Sequence, residues 1–147
     1  MNYYKYDIVF QEVPGEISLA FYMTGCSCHC KGCHSPELWN PKNGSALTIE
    51  TFDSLIQRYQ GNLSCVLFMG GEWEVNSLIK FAERAKAYQL KTALYTGREF
   101  EDLPATLIQT LDYLKTGPWR ENLGGLDSPK TNQKFYDLKH YKEAVCL

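Results

Sequence analysis

The 147-residue sequence has no run approaching the roughly 18 apolar residues that a membrane-spanning helix needs. Its polar start, MNYYKYD, lacks the apolar core of a secretory signal. There is no excess of basic charge either: 15 Lys and Arg stand against 17 Asp and Glu, for a net charge of −2. Binders of nucleic acid and of anionic membranes usually carry a strong basic bias, so both classes recede. Internal repeats, low-complexity tracts and linker-like stretches are also missing. With 44% hydrophobic and 22% charged residues the composition is that of a folded globular chain rather than a disordered one. These absences imply a single domain over residues 1–147 and a cytoplasmic location.

Cysteine, by contrast, is concentrated. The stretch TGCSCHCKGCHSPELW, residues 24–39, holds four of the six cysteines and two of the three histidines. In a reducing compartment such clustering points to metal binding or catalysis rather than to disulfides. Cys26, Cys30 and Cys33 stand in the spacing C-x3-C-x2-C, with Cys28 between the first two. A short loop of thiolates can wrap an iron–sulfur cluster, and most such clusters take four cysteines. Three thiolates on a four-iron cluster would leave one iron open. A structural zinc is the competing reading, with Cys28, Cys30, Cys33 and either His34 or His29 as tetrahedral ligands. Usual zinc patterns pair two well-separated ligand couples, and this loop does not.

Strand-like and helix-like segments alternate along the chain. ISLAFYM (17–23), SCVLFMGG (64–71), KTALYTG (91–97) and DYLKTGPW (112–119) read as strands. Between them, residues 47–60 place Phe52, Leu55, Ile56 and Tyr59 on one helical face, with Thr48 as N-cap. Residues 75–89 repeat the spacing through Val75, Leu78, Ile79, Ala82 and Ala85, and residues 104–111 suit a short helix. The first dozen residues read as an extended arm ending in the turn VPGE (13–16). A glycine- and proline-marked tail (121–138) leads into a last strand.

The alternation predicts an α/β fold with a mostly parallel sheet. A closed barrel of eight βα units takes about 250 residues, so a partial, open (β/α) barrel is the expectation. Chemistry in such folds gathers at the carboxyl ends of the strands. The cysteine loop, Gly70-Gly71-Glu72, Tyr95-Thr96-Gly97 and Thr116-Gly117-Pro118 all fall there. Elsewhere, Cys65 suits a buried strand position, Cys146 and His140 carry no evident role, and Asp112 and Asn132 suit either structure or site. The ten tyrosines have no evident function beyond packing.

The segment Cys26-Ser-Cys-His-Cys30-Lys-Gly-Cys33 resembles the cysteine signature of the radical S-adenosylmethionine superfamily. GCHSPELW is similar to the same loop in the small activases of glycyl-radical enzymes. The likeness is nearest to those that serve anaerobic ribonucleoside-triphosphate (class III) reductase. It spans the VPGE turn, GGE at 70–72, YTG at 95–97, D-x4-GP at 112–118 and TNQ at 131–133. The small radical-SAM type of partial barrel accompanies it.

What the resemblance implies is specific. Cys26, Cys30 and Cys33 would hold a [4Fe-4S] cluster whose open iron chelates the methionine part of S-adenosylmethionine. Reduced flavodoxin or a similar donor would supply an electron, cleaving the sulfonium to methionine and a 5′-deoxyadenosyl radical. That radical would take a hydrogen atom from a glycine Cα of the partner reductase. Gly32, Gly70 and Gly71 would let backbone pass close to the cofactor, Glu72 would face its amino group, and His34 would lie near the adenine. Tyr95 and Thr96 would contact the cofactor at the third strand. Trp73 departs from the family, where a small residue or proline commonly follows GGE. An activase of a formate-lyase-like enzyme and a non-catalytic zinc module are the alternatives. A short chain has little with which to cover an open rim and shield a radical, so the substrate is expected to be a protein loop that supplies the cover.

Overall fold

The alternating apolar segments form the strands and helices of a single sheet with helices on one face. The structure is a computed structural model, and it describes residues 1–33 and 35–138. The strands are β1 (Asn2–Val9), β2 (Ser18–Met23), β3 (Ser45–Ala46), β4 (Cys65–Met69), β5 (Lys91–Tyr95), β6 (Tyr113–Thr116) and β7 (Lys134–Asp137). The helices are α1 (Ile49–Tyr59), α2 (Val75–Ala87) and α3 (Ala105–Ile108). Among the described residues the strands join one seven-stranded sheet in the order β3-β1-β2-β4-β5-β6-β7.

The sheet is mixed and does not close. The central run β2-β4-β5-β6 is parallel, while β1 pairs antiparallel with β2 and β3, and β7 antiparallel with β6. The expectation of a mostly parallel sheet therefore holds only at the centre. Parallel neighbours need a crossover, which α1, α2 and α3 supply. The flanking strands arrive without one and run the other way.

The first dozen residues are not an arm but strand β1. Their apolar alternation is broken by a register irregularity between Tyr3 and Lys5. The extra residue shifts the phase, so that Tyr3, Tyr6 and Ile8 pack on the helix side while Tyr4 is exposed.

The helices lie as the spacing predicts. Thr48 caps α1, its hydroxyl accepting from the Thr51 amide at 3.1 Å. Phe52, Leu55 and Ile56 of α1, and Leu78, Phe81, Ala82 and Ala85 of α2, are buried against Leu19, Phe21, Val66, Phe68 and Leu94 of the sheet. Phe21, Phe52 and Phe68 stack at the centre of this layer, with centroids 5.6 to 6.5 Å apart. Strand alternation sends the other side chains, Ala20, Cys65, Leu67, Ala93 and Phe135, to the opposite face. No helix covers that face among the described residues; Tyr22, Met69, Tyr95 and Tyr113 pack there instead. Several of the tyrosines without an evident role line this uncovered face.

At the amino ends of the parallel strands a polar cluster joins the chain. Glu16, buried at the end of the VPGE turn, accepts from Lys91 Nζ at 3.0 Å and from the Tyr113 hydroxyl at 2.7 Å. Asp112 is structural as well: its carboxylate accepts from the Thr92 amide at 2.9 Å, and its own amide donates to the Thr92 carbonyl.

Candidate functional site

The cysteine loop leaves the carboxyl end of β2 and is closed at its base by two amides. Gly25 and Cys26 both donate to the Leu38 carbonyl, at 2.7 and 3.0 Å. Within the loop the Cys33 amide donates to the Cys30 carbonyl at 3.0 Å, and Cys33 Sγ accepts from the Ser35 amide at 3.4 Å. His29 takes a positive φ of 44° and stacks on Trp39, with ring centroids 4.5 Å apart.

Cys26, Cys28, Cys30 and Cys33 line one cavity of about 200 Å³ together with Gly70, Glu72, Tyr95, Thr96 and Lys115. The loop after β2 and the ends of β4, β5 and β6 thus meet in one wall. All four thiols are free and half-buried. Among the described residues no three His, Cys, Asp or Glu side chains group around one point as a metal-ion site. A hydrogen bond from the Cys28 thiol pulls Cys26 down to about 6, against the opposing effect of burial, and the same contact pushes Cys28 up. Cys28 also lies over Gly97, where an added Cβ would come within 2.8 Å of its sulfur.

Glu72 is the buried acid of the cavity, 5% exposed. One oxygen accepts from the Thr96 hydroxyl at 2.8 Å and faces Arg98 Nε at 3.9 Å. The other is buried with no hydrogen-bond partner among the described residues. Burial raises this carboxyl above its ordinary range, with the Thr96 hydrogen bond opposing. Thr96 in turn accepts from the Arg98 amide at 3.0 Å, which fixes the turn after β5.

The other residues singled out in the sequence are placed less uniformly. Gly70, with φ of 94°, lines the cavity. Gly71 does not: a Cβ there would meet Met1, Met23 and Leu78 at 3.3 to 3.5 Å, on the helix side of the sheet. Gly32 turns away from the cavity toward Glu121, whose carboxylate occupies the space a Cβ would take. Asn132 and Gln133 of TNQ donate to the Pro118 and Gly117 carbonyls at 3.1 and 3.3 Å, and Gln133 also reaches the cavity wall. His34, His140 and Cys146 lie outside the described residues.

Of two further cavity residues, Lys115 escaped the sequence reading and Trp73 entered it only as a departure from the family. Trp73 donates its indole N–H to the Thr24 carbonyl at 3.1 Å, and its ring closes over Gly25 and Gly70. It fastens the root of the cysteine loop to the end of β4. Lys115, on β6, lies over the Tyr95 ring with its nitrogen 4.7 Å from the centroid. Burial lowers its pKa. The signal for Lys115 was its position: an amine two residues after Tyr113, on the same face of a strand otherwise apolar.

The chain is 26% identical over 133 residues to the anaerobic ribonucleoside-triphosphate reductase-activating protein of Enterobacteria phage T4, with 84% of each chain covered. A family model described as a 4Fe-4S single cluster domain matches residues 13–134. That span takes in the VPGE turn, the cysteine loop, the three crossover helices and the start of β7, and the chain belongs to the 4Fe-4S single cluster domain family.

Proposed function

We propose that the chain is the activase of an anaerobic ribonucleotide reductase, a radical S-adenosylmethionine enzyme that installs a glycyl radical on its partner. The observation that carries this reading is that Cys26, Cys30 and Cys33 line one cavity of about 200 Å³ together with Glu72, Thr96 and Lys115. A polynuclear cluster suits such a space better than a single zinc ion, and thiolates are its usual ligands. Cys26, Cys30 and Cys33 are the ligands we assign, leaving Cys28 packed against Gly97. A bound [4Fe-4S] cluster would supply the electron that cleaves S-adenosylmethionine and starts hydrogen abstraction from glycine.

The chain's own residues supply recognition and shielding. Glu72 offers a buried carboxylate with one oxygen unpaired among the described residues, suited to the cofactor's ammonium group. Lys115 presents a cation to the same cavity, suited to a carboxylate. Gly70 lets the backbone approach without a Cβ, while Tyr95 and Thr96 form the adjoining wall. Met23, Leu38 and Trp39 provide apolar lining, which strengthens these polar contacts by excluding water.

We read residues 1–147 as one domain and the sheet as an open, partial (β/α) barrel, because its parallel strands follow chain order with all helices on one face. Among the described residues no helix is long and apolar enough to cross a membrane. Free thiols fit a reducing compartment such as the cytoplasm. The phage protein's name supports the partner; a flavodoxin-like donor is our assignment for the electron. Anaerobic reconstitution with iron and sulfide tests the reading. It requires about four irons and four sulfides per chain, and release of methionine and 5′-deoxyadenosine once reductant and S-adenosylmethionine are added. A colourless protein holding one zinc would refute it.

A further inference from the structure

The cysteine loop carries one thiol more than the three assigned ligands. Cys28 is half-buried and lines the cavity of about 200 Å³ together with Cys26, Cys30 and Cys33. It stands two residues from Cys26 and two from Cys30, so it cannot leave the neighbourhood of whatever those thiols hold. His29, next in the chain, takes the left-handed φ of 44° and stacks on Trp39, which fixes the backbone beside Cys28. A three-ligand cage gives this fourth thiol no task.

Gly97 makes room for it. The φ of Gly97 lies outside the left-handed region, so backbone conformation does not demand a glycine there. What an added Cβ would meet is Cys28, at 2.8 Å from its sulfur and 3.4 Å from its Cβ. The next atom, Pro118 Cα, is at the ordinary contact distance of 3.8 Å. The space at the end of β5 is therefore space for Cys28. Gly97 follows Thr96, whose hydroxyl donates to Glu72, and the second oxygen of Glu72 is buried without a partner among the described residues. Cys28 thus stands on the side of the cavity to which the cofactor's ammonium group is assigned.

We infer, on the basis of the activase reading above, that Cys28 is a displaceable fourth ligand. While S-adenosylmethionine is absent, its thiolate caps the iron that Cys26, Cys30 and Cys33 leave open, and the arriving cofactor displaces it. Most clusters of this type take four cysteines, and a thiol tethered in the same loop competes as an intramolecular ligand. On capping, a sulfur–iron bond forms and the thiol proton passes to solvent. On displacement that bond breaks, the cofactor's amino and carboxylate groups take the iron, and the freed thiolate regains a proton and rests against Gly97. The exchange needs no oxidant or reductant. It protects the open corner of the cluster until the cofactor is present.

The test uses the full chain loaded anaerobically with iron and sulfide, unaltered and as Cys28→Ala and Cys28→Ser. The serine variant keeps the size of the side chain, so a loss of fold is not mistaken for a loss of ligation. Mild oxidation with ferricyanide expels an iron that lacks a thiolate and leaves a three-iron cluster, which electron paramagnetic resonance detects. Without S-adenosylmethionine both variants should undergo this conversion several-fold faster than the unaltered chain, and saturating cofactor should bring all three to one rate. Calorimetry should show the cofactor binding several-fold more tightly to the variants, because no thiolate has to be displaced first. Equal conversion rates without the cofactor, or equal affinities, overturn the inference. Failure of both variants to take up a cluster also overturns it, since Cys28 would then be a permanent ligand. Absence of cofactor cleavage by the reduced, unaltered chain would instead count against the activase reading, and the conversion rates would still decide whether Cys28 caps the cluster.

Discussion

The Thr96 hydroxyl donates to Glu72 at 2.8 Å, and through this contact the loop after β4 and the loop after β5 hold a common geometry. The contact satisfies one carboxylate oxygen and leaves its neighbour buried and without a partner among the described residues. A buried acceptor without a donor is costly, and an ammonium group placed against it removes that cost.

The first prediction follows from that asymmetry. Burial raises the Glu72 pKa, so the folded chain binds a proton at pH values where the unfolded chain has released it. Stability therefore falls as pH rises from the ordinary carboxylate value through the raised one. Glu72→Gln should flatten this slope and leave the apoprotein at least as stable at neutral pH. It should also weaken S-adenosylmethionine binding by about tenfold. In the unaltered chain, affinity should decline as the pH drops and Glu72 becomes protonated. Denaturation across pH and anaerobic calorimetry check both halves; a glutamine variant that binds the cofactor normally contradicts the role.

Cysteine replacements separate ligand from neighbour. Cys26→Ala, Cys30→Ala and Cys33→Ala should each abolish cleavage of S-adenosylmethionine, with loss of bound iron and sulfide. Cys28→Ala should retain much of both, because Cys28 packs on Gly97 and is not among the ligands assigned. Loss of the cluster in Cys28→Ala alone would require a different ligand set.

Trp73 connects the cysteine loop to β4 through its hydrogen bond to Thr24 and its contact with Gly70. Trp73→Phe should cost about 1 kcal/mol, the worth of the lost hydrogen bond. Trp73→Ala should cost about 2–4 kcal/mol, through the cavity it leaves. Urea unfolding of the reduced apoprotein measures both. Gly70→Ala should be destabilising too, since φ is 94° and the new methyl would meet the Trp73 ring at 2.6 Å.

Glu16 gives the opposite pH behaviour to Glu72. Burial pushes its carboxyl up, but hydrogen bonds from Tyr113 and Lys91 outweigh this and leave its pKa below the ordinary value. Its stabilising effect is thus present above the unfolded carboxylate pKa and is lost as pH falls through the lower, folded one. Glu16→Gln should cost on the order of 1–3 kcal/mol at neutral pH and leave cleavage activity intact, because Glu16 sits at the amino ends of the strands, away from the thiols. A thermal melt series over acidic to neutral pH measures the first effect. Reduced cleavage in that variant would place Glu16 in the site after all.

Much of this arrangement was legible beforehand because local signals and tertiary packing agree. Thr48 caps the helix it announces, and the apolar spacing of 49–59 and 75–87 marks the faces that are buried. The glycine-ended strands locate the rim that carries the cysteine loop. Strand β1 was hidden because the irregularity at Tyr3 and Lys5 breaks its alternation, and because tyrosines read equally well as surface or packing. The different orientations of Gly70 and Gly71 were also invisible, since a glycine pair carries no side chain to reveal which face each addresses. Lys115 and Trp73 act through contacts 20 and more residues away in sequence, with Tyr95 and Thr24 respectively, and no local pattern encodes such partners.

Electron paramagnetic resonance on the paired system tests the central claim most directly. The cluster-loaded chain, S-adenosylmethionine, a strong reductant and the anaerobic reductase are combined without oxygen, and the reductase is examined for a glycyl radical. The expected result is a glycyl signal that requires the chain, the cofactor and all three of Cys26, Cys30 and Cys33. A reductase that stays silent while the chain cleaves the cofactor, or a signal that appears only on a lyase-type partner, would contradict it.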